Sequence, residues 1–150
     1  MTNNRDDQPD PSVRARLLAA LRGPERFTPF ALEVAHLFAI APDDAREALR
    51  RIDDAEAWEA GPWPRSRFLR TPALTAASAL IARLPAGLRI GDHAHAGREL
   101  TYILDGEVVE SGSERVLGRG ALLDKAAGSR HEVGVVGTTD CLVVFALRAV

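Results

Sequence analysis

The chain is poor in the residues that many protein chemistries depend on. Cys141 is its one cysteine, so no disulfide can close within it, and His36 has no cysteine near it with which to build a thiolate–imidazole zinc cluster. Among the 19 basic residues only Lys125 is a lysine. The arginine bias goes with abundant alanine and reads as GC-rich coding rather than phosphate recognition. Net charge is −2, with no basic stripe, which argues against nucleic acid as a partner. The longest charge-free run, Thr71 to Ala82, is too short for the ~20 residues that span a bilayer. The first residues, MTNNRDDQPDP, have no apolar stretch of the kind a signal peptide carries. The expectation is a cytoplasmic protein that engages neither membrane nor nucleic acid.

What is present suits a compact core: 46% of residues are hydrophobic and 27% charged in a chain of 150. That length fits one domain, or one small domain with a helical appendage. Residues 1–10 contain too little apolar surface to offset the entropy of ordering and are expected to be disordered. Val13, Leu17, Leu18 and Leu21 recur at helical spacing until Gly23-Pro24 breaks the pattern. Thr28-Pro29 reads as the cap and first residue of a second helix running to about Phe38, with Phe30, Val34, Leu37 and Phe38 free to pack. Pro42 opens a third, whose stripe is Ala45, Ala48, Leu49 and Ile52 and whose Asp43 and Asp44 sit near the positive end of the helix dipole. Together the three helices are expected to form a small apolar layer. Helices two and three could suggest a helix-turn-helix, but the second of the pair is acidic where phosphate contacts would be needed. Trp58, Pro62, Trp63 and Pro64 read as a linker closing a helical region of residues 11–64, its two indoles pinning the helices to the C-terminal half of the chain. Ligand stacking on either tryptophan is the lesser reading.

From about Thr71 the period changes to two. Short strands are expected at Leu74–Leu84, Leu100–Leu104, Glu107–Glu110, Arg115–Leu117, Ala121–Leu123, His131–Val136 and Cys141–Leu147, with glycines at the turns and Asp105-Gly106 as a hairpin signal. The last strand is apolar on both faces, which places it centrally or at a subunit interface. Cys141 is then a core thiol, with a redox role as the lesser reading. The fold class is therefore mainly β, a small barrel of residues 71–150 behind about three helices.

Three of the four histidines belong to one constellation. His93, His95 and Glu99 share strand parity, and His131 follows a Gly-x2 turn further on. Imidazoles with a carboxylate suit zinc, iron or manganese, so His93, His95, Glu99 and His131 are the candidate metal ligands. His36, on an amphipathic helix, is expected to be a satisfied, semi-buried side chain. Tyr102 and Glu132, the nearest acid–base candidates, have the wrong parity to face the metal. Catalytic residues stay unassigned.

Gly87, His93, His95, Glu99 and Gly106 stand as G-x5-H-x-H-x3-E-x6-G, which resembles the first signature of the cupin family at every fixed position. Gly120, Gly128 and His131 occupy places of the second signature, with Ala126 where that signature has proline and Val135 where it has asparagine. The resemblance implies a jelly-roll monocupin barrel with one divalent metal, zinc favoured and iron or manganese as alternatives. The helical first half also resembles ChrR-type anti-sigma proteins, although their His-x3-Cys-x2-Cys motif is absent, so sigma-factor binding by that mode does not carry over. Three functions are implied as expectations. The first is a regulatory or sensory module in a transcriptional stress response, with a regulatory protein on the helices and an oxidant or small molecule at the metal. The second is a metal-dependent dioxygenase or isomerase acting on an organic acid or diketone. The third is an interaction domain that the metal only staples. A homodimer accords with the resemblance.

Overall fold

The computed structural model describes residues 11–149, so the disorder expected of residues 1–10 lies outside the described residues. Four helices, α1 (Pro11–Arg22), α2 (Ala31–Phe38), α3 (Pro42–Arg50) and α4 (Pro72–Ala76), accompany ten strands. In chain order the strands are β1 (Trp58–Ala60), β2 (Arg67–Leu69), β3 (Ala79–Leu84), β4 (Arg89–Ala94) and β5 (Arg98–Asp105), then β6 (Glu107–Glu110), β7 (Arg115–Leu117), β8 (Leu122–Lys125), β9 (Arg130–Val136) and β10 (Cys141–Arg148). They form two antiparallel sheets, one ordered β1-β2-β3-β10-β5-β8 and the other β4-β9-β6-β7. This is the expected jelly-roll barrel with its N-terminal helices.

The central strands are apolar on both faces because they separate two cores. On β5 and β10, Leu100, Tyr102, Leu104, Leu142, Val144 and Ala146 pack under the helices with Val34, Phe38, Ala45, Leu49 and Ile52. The alternate residues Ile103, Cys141 and Val143 turn inward with Leu123 of β8 to meet Val108, Val133 and Val135 from the sheet opposite. β10 lies between β3 and β5, which confirms the central position expected for it. α3 begins at Pro42 with Asp43 and Asp44 in its first turn and Arg50 in its last, each matching the dipole end it occupies.

Several local expectations are corrected. Thr28 does not cap α2: Phe27 holds the N-cap position of a 3-10 turn at Thr28–Phe30, and the Thr28 hydroxyl donates to Glu25 at 2.6 Å. The segment read as a strand from Leu74 starts as α4, because Thr71 caps it by accepting the Leu74 N–H at 3.3 Å ahead of Pro72, and the strand begins only at Ala79. The stretch read as a linker contributes the β1–β2 hairpin, whose second strand pairs with β3. α1 forms but does not join the apolar layer; Leu17 and Leu21 are 58% and 62% exposed. His36 is exposed rather than semi-buried. No helix among the described residues is long and apolar enough to cross a membrane.

The helix layer rests on side chains such as Phe38, which is fully buried, whereas Leu32 on the same helix is 69% exposed. Phe38→Ala should therefore lower unfolding stability by about 3–5 kcal/mol in chemical denaturation. Leu32→Ala should change it by no more than about 0.5 kcal/mol.

Candidate metal centre

The four candidate ligands come from both sheets and meet at one end of the barrel. His93 on β4 and His131 on β9 are cross-strand neighbours, Glu99 lies on β5 of the other sheet, and His95 sits in the connection between β4 and β5. The β4–β9 register slips between Ile90 and His93, adding one residue to β4. That bulge turns both Ile90 and His93 inward although their numbers differ in parity. Gly97, in the turn before β5, allows the chain to pass against β10: a Cβ there would lie 1.9 Å from the Arg148 carbonyl oxygen. This close approach is what lets His95 and Glu99 face each other across so short a loop.

One ligating atom from each of the four residues lies within 4.8 Å of the others, a grouping that could hold a metal ion. The three imidazole centroids form a triangle 4.7 Å on every side. His95 Nε2 lies 2.8 Å from His131 Nε2, His95 Nδ1 is 3.0 Å from Glu99 Oε2, and His131 Nε2 is 3.7 Å from Glu99 Oε1. His95, Glu99 and His131 are buried and His93 is half-buried. Burial lowers the His131 pKa; Glu99 raises it, while His95 and His93 lower it further. Three clustered imidazoles and one carboxylate are a donor set for a divalent transition metal, and the neutral imidazole that such a metal requires is the form favoured at His131.

The second layer of contacts supports that fit. His93 Nδ1 is 2.8 Å from the Gly91 carbonyl oxygen, which holds the ring with Nε2 free. His131 Nδ1 lies 3.3 Å from Glu110 Oε1, at an angle that makes no aligned hydrogen bond, so this buried nitrogen has no hydrogen-bond partner among the described residues. A carboxylate behind a histidine is the arrangement that orients a metal-ligating ring. Burial pushes the Glu110 carboxyl up, but the hydrogen-bonded Lys125 ammonium outweighs it and keeps the group below its ordinary value, with His131 adding to the effect. The chain's one lysine thus stands behind the carboxylate that backs a ligand. The Thr101 hydroxyl donates to Glu99 Oε1 at 3.2 Å. None of Glu110, Lys125 and Thr101 was a candidate from sequence, since the pairing of β6 with β9 that brings Glu110 near His131 leaves no local signal.

Beside the cluster lies a cavity of about 350 Å³, walled by residues of both sheets. Trp63 lines it, packed edge-on to Phe68 with ring centroids 6.0 Å apart. Trp63 therefore belongs to the barrel interior and does not pin the helices, whereas Trp58 does pack on the helix side and donates its indole N–H to the Ile52 carbonyl at 3.0 Å. Tyr102 turns away from the cluster and meets Phe30 edge-on at 5.9 Å, as its parity required. Glu132 likewise turns outward, onto Arg89. Val135, at the asparagine place of the second cupin signature, is buried in the inner core.

Two outcomes test this geometry. Glu110→Gln should weaken metal affinity by about 10–100-fold in competition with a chelator, because His131 loses its orienting carboxylate. Cys141 is fully buried and its thiol is pushed up to about 12 by that burial. It should resist alkylation in the native protein and react only on unfolding, as mass spectrometry would record, which argues against a redox role for it.

No protein-family model matches the sequence, and no curated protein matches it either. Solved structures do match. A chain in the crystal structure of Rhodobacter sphaeroides SigE in complex with the anti-sigma ChrR aligns with 74% of this chain and 57% of its own length, at TM-score 0.55 and 23% identity. An RmlC-like cupin protein from Ralstonia eutropha aligns over 61% of this chain and 62% of that one, at TM-score 0.48 and 18% identity. A protein of unknown function with a cupin-like fold, also from Ralstonia eutropha, aligns over 47% and 46%, at TM-score 0.45 and 22% identity. The chain spans about half the length of the first structures it matches, 46% and 57%. The likeness is one of fold, and the fold is the cupin-like jelly roll.

Proposed function

We propose that the chain is a metal-binding monocupin acting as a ChrR-like regulatory or sensory module in the cytoplasm, its ion held by His93, His95, Glu99 and His131. One observation carries this reading. Among the described residues, Thr101 is the one hydroxyl or ionisable side chain lining the cavity apart from those four, and its hydroxyl is already engaged with Glu99. The site can therefore bind, but it has no separate group to give or take a proton during acid–base turnover. A bound ion would supply Lewis-acid or redox chemistry there. Zinc is favoured because imidazole and carboxylate donors suit it, with iron or manganese as the alternatives.

The route from site to helices runs through β5. Glu99 and Thr101 face the cavity, while Leu100 and Tyr102 on the same strand face the helix layer. A change in what Glu99 holds bears on a strand whose other face is helix packing. The exposed leucines of α1 give a regulatory protein a surface to engage, and a homodimer fits the same architecture. Partner binding is supported in outline by the SigE–ChrR neighbour, whose complex is a property of that protein. Charge balance supports neither nucleic acid nor membrane as a partner. In this scheme residues 11–64 form the reporting region and residues 71–150 the sensing barrel.

A metal-dependent dioxygenase or isomerase is the second reading, favoured by a cavity that opens directly on the ligand cluster. An interaction domain stapled by the metal is the third. The test uses Trp63→Phe, which leaves Trp58 as the sole indole, packed on the helix side. Peroxide or metal removal should shift Trp58 emission in the zinc form, while the iron- and manganese-loaded proteins consume no oxygen with diketones, thiols or aromatic diols. Metal-dependent turnover abolished by Glu99→Gln would replace the sensory reading with the enzymatic one.

A further inference from the structure

We infer that the cavity beside the metal centre takes a flat, apolar molecule of roughly two fused rings carrying a single oxygen donor, and not an organic acid with a second charged group. The inference rests on the metal-centre reading of the same site and specifies what the site admits. It begins with the wall, where Ala82, Leu84, Val108, Leu123, Val133 and Val143 enclose the space without a hydrogen-bonding side chain. A second carboxylate placed among them would be buried without a partner, which disfavours its ionised form. Among the organic-acid substrates expected from sequence, those with a second charged group lose their support here.

The mouth has the same character. Trp63, Phe68, Ile90, Phe145 and Leu147 line the cavity and are each half-buried or exposed, as are Ala94 and Ala96 beside the cluster, so the accessible rim around His93 is apolar and aromatic. The arginines closest to the ligands in sequence and strand register are already paired. Arg89 bonds Glu132, Arg98 bonds Asp124 and Arg130 bonds Asp92, and none of the three lines the cavity. No guanidinium is thus offered to a carboxylate inside the chamber. A divalent ion with the single carboxylate of Glu99 leaves one net positive charge, which suits one neutral or singly anionic oxygen.

Size sets the remaining limit. A cavity of about 350 Å³ is roughly twice the ~150 Å³ that encloses one benzene ring. The edge-on Trp63–Phe68 pair that lines it supplies aromatic surface suited to a flat molecule.

The experiment is calorimetric titration of the zinc-loaded protein with 2-naphthol and, separately, with succinate. Saturable one-to-one binding of 2-naphthol and none of succinate is expected. Trp63→Ala should weaken 2-naphthol about tenfold. Leu147→Arg, at a position already 40% exposed and so tolerant of a charge, should weaken 2-naphthol and admit succinate. Succinate binding as tightly as 2-naphthol, or 2-naphthol binding unchanged in both variants, would overturn the inference. Trp58 emission in the Trp63→Phe protein separates this outcome from the fate of the sensory reading. Binding of 2-naphthol with silent helices removes the sensor and keeps the ligand class, whereas succinate preference with responding helices does the opposite.

Discussion

Everything in this molecule depends on the central strands being buried on both faces. β3, β10 and β5 separate a helix-packed core from a barrel core, and their alternate residues divide between the two without exception at Leu100, Tyr102 and Leu104 on one side and Glu99, Thr101 and Ile103 on the other. Without the helices, one face of these strands would be a broad apolar surface in water. Without the opposite sheet, Glu99 would be an ordinary solvated acid. The site and the helix layer are therefore two sides of one strand, which is why a sensory reading has a physical route.

The cluster of candidate ligands joins the two sheets at one end. His93 and His131 come from one sheet, Glu99 from the other, and His95 from the loop that joins them. The apolar packing between Val108, Leu123, Val133 and Val143 sets how far apart these elements stand, with the donors grouped within 4.8 Å. Outward from the cluster, the carbonyl of Gly91 holds the His93 ring, and the carboxylate of Glu110 stands 3.3 Å from His131 Nδ1.

Much of this was legible in the chain because alternation and fixed spacing are local properties. β6 and β7 begin and end where the pattern placed them, β10 was recognised as central from its two apolar faces, and the four grouped residues stand in a motif readable by eye. What escaped depends on partners distant in sequence. The bulge between Ile90 and His93 is a property of the β4–β9 pair, not of β4 alone. β1 and β2 have three residues each, too few for a period to declare itself, and they exist because β3 offers an edge. The periodic leucines of α1 correctly announced a helix, but periodicity carries no information about whether a neighbour covers it. The two tryptophans looked equivalent in sequence and ended on opposite sides of the large sheet.

Lys125 has a consequence of a different kind. A chain whose other cations are all guanidinium groups carries one side-chain primary amine, and that amine sits against the carboxylate behind His131 of the candidate cluster. Acylation or carbamylation chemistry, which ignores arginine, has a single side chain to find here. Reaching it removes the cation that holds the Glu110 carboxyl below its ordinary value, so a reagent chosen only for its taste for amines becomes a reagent for the surroundings of this cluster.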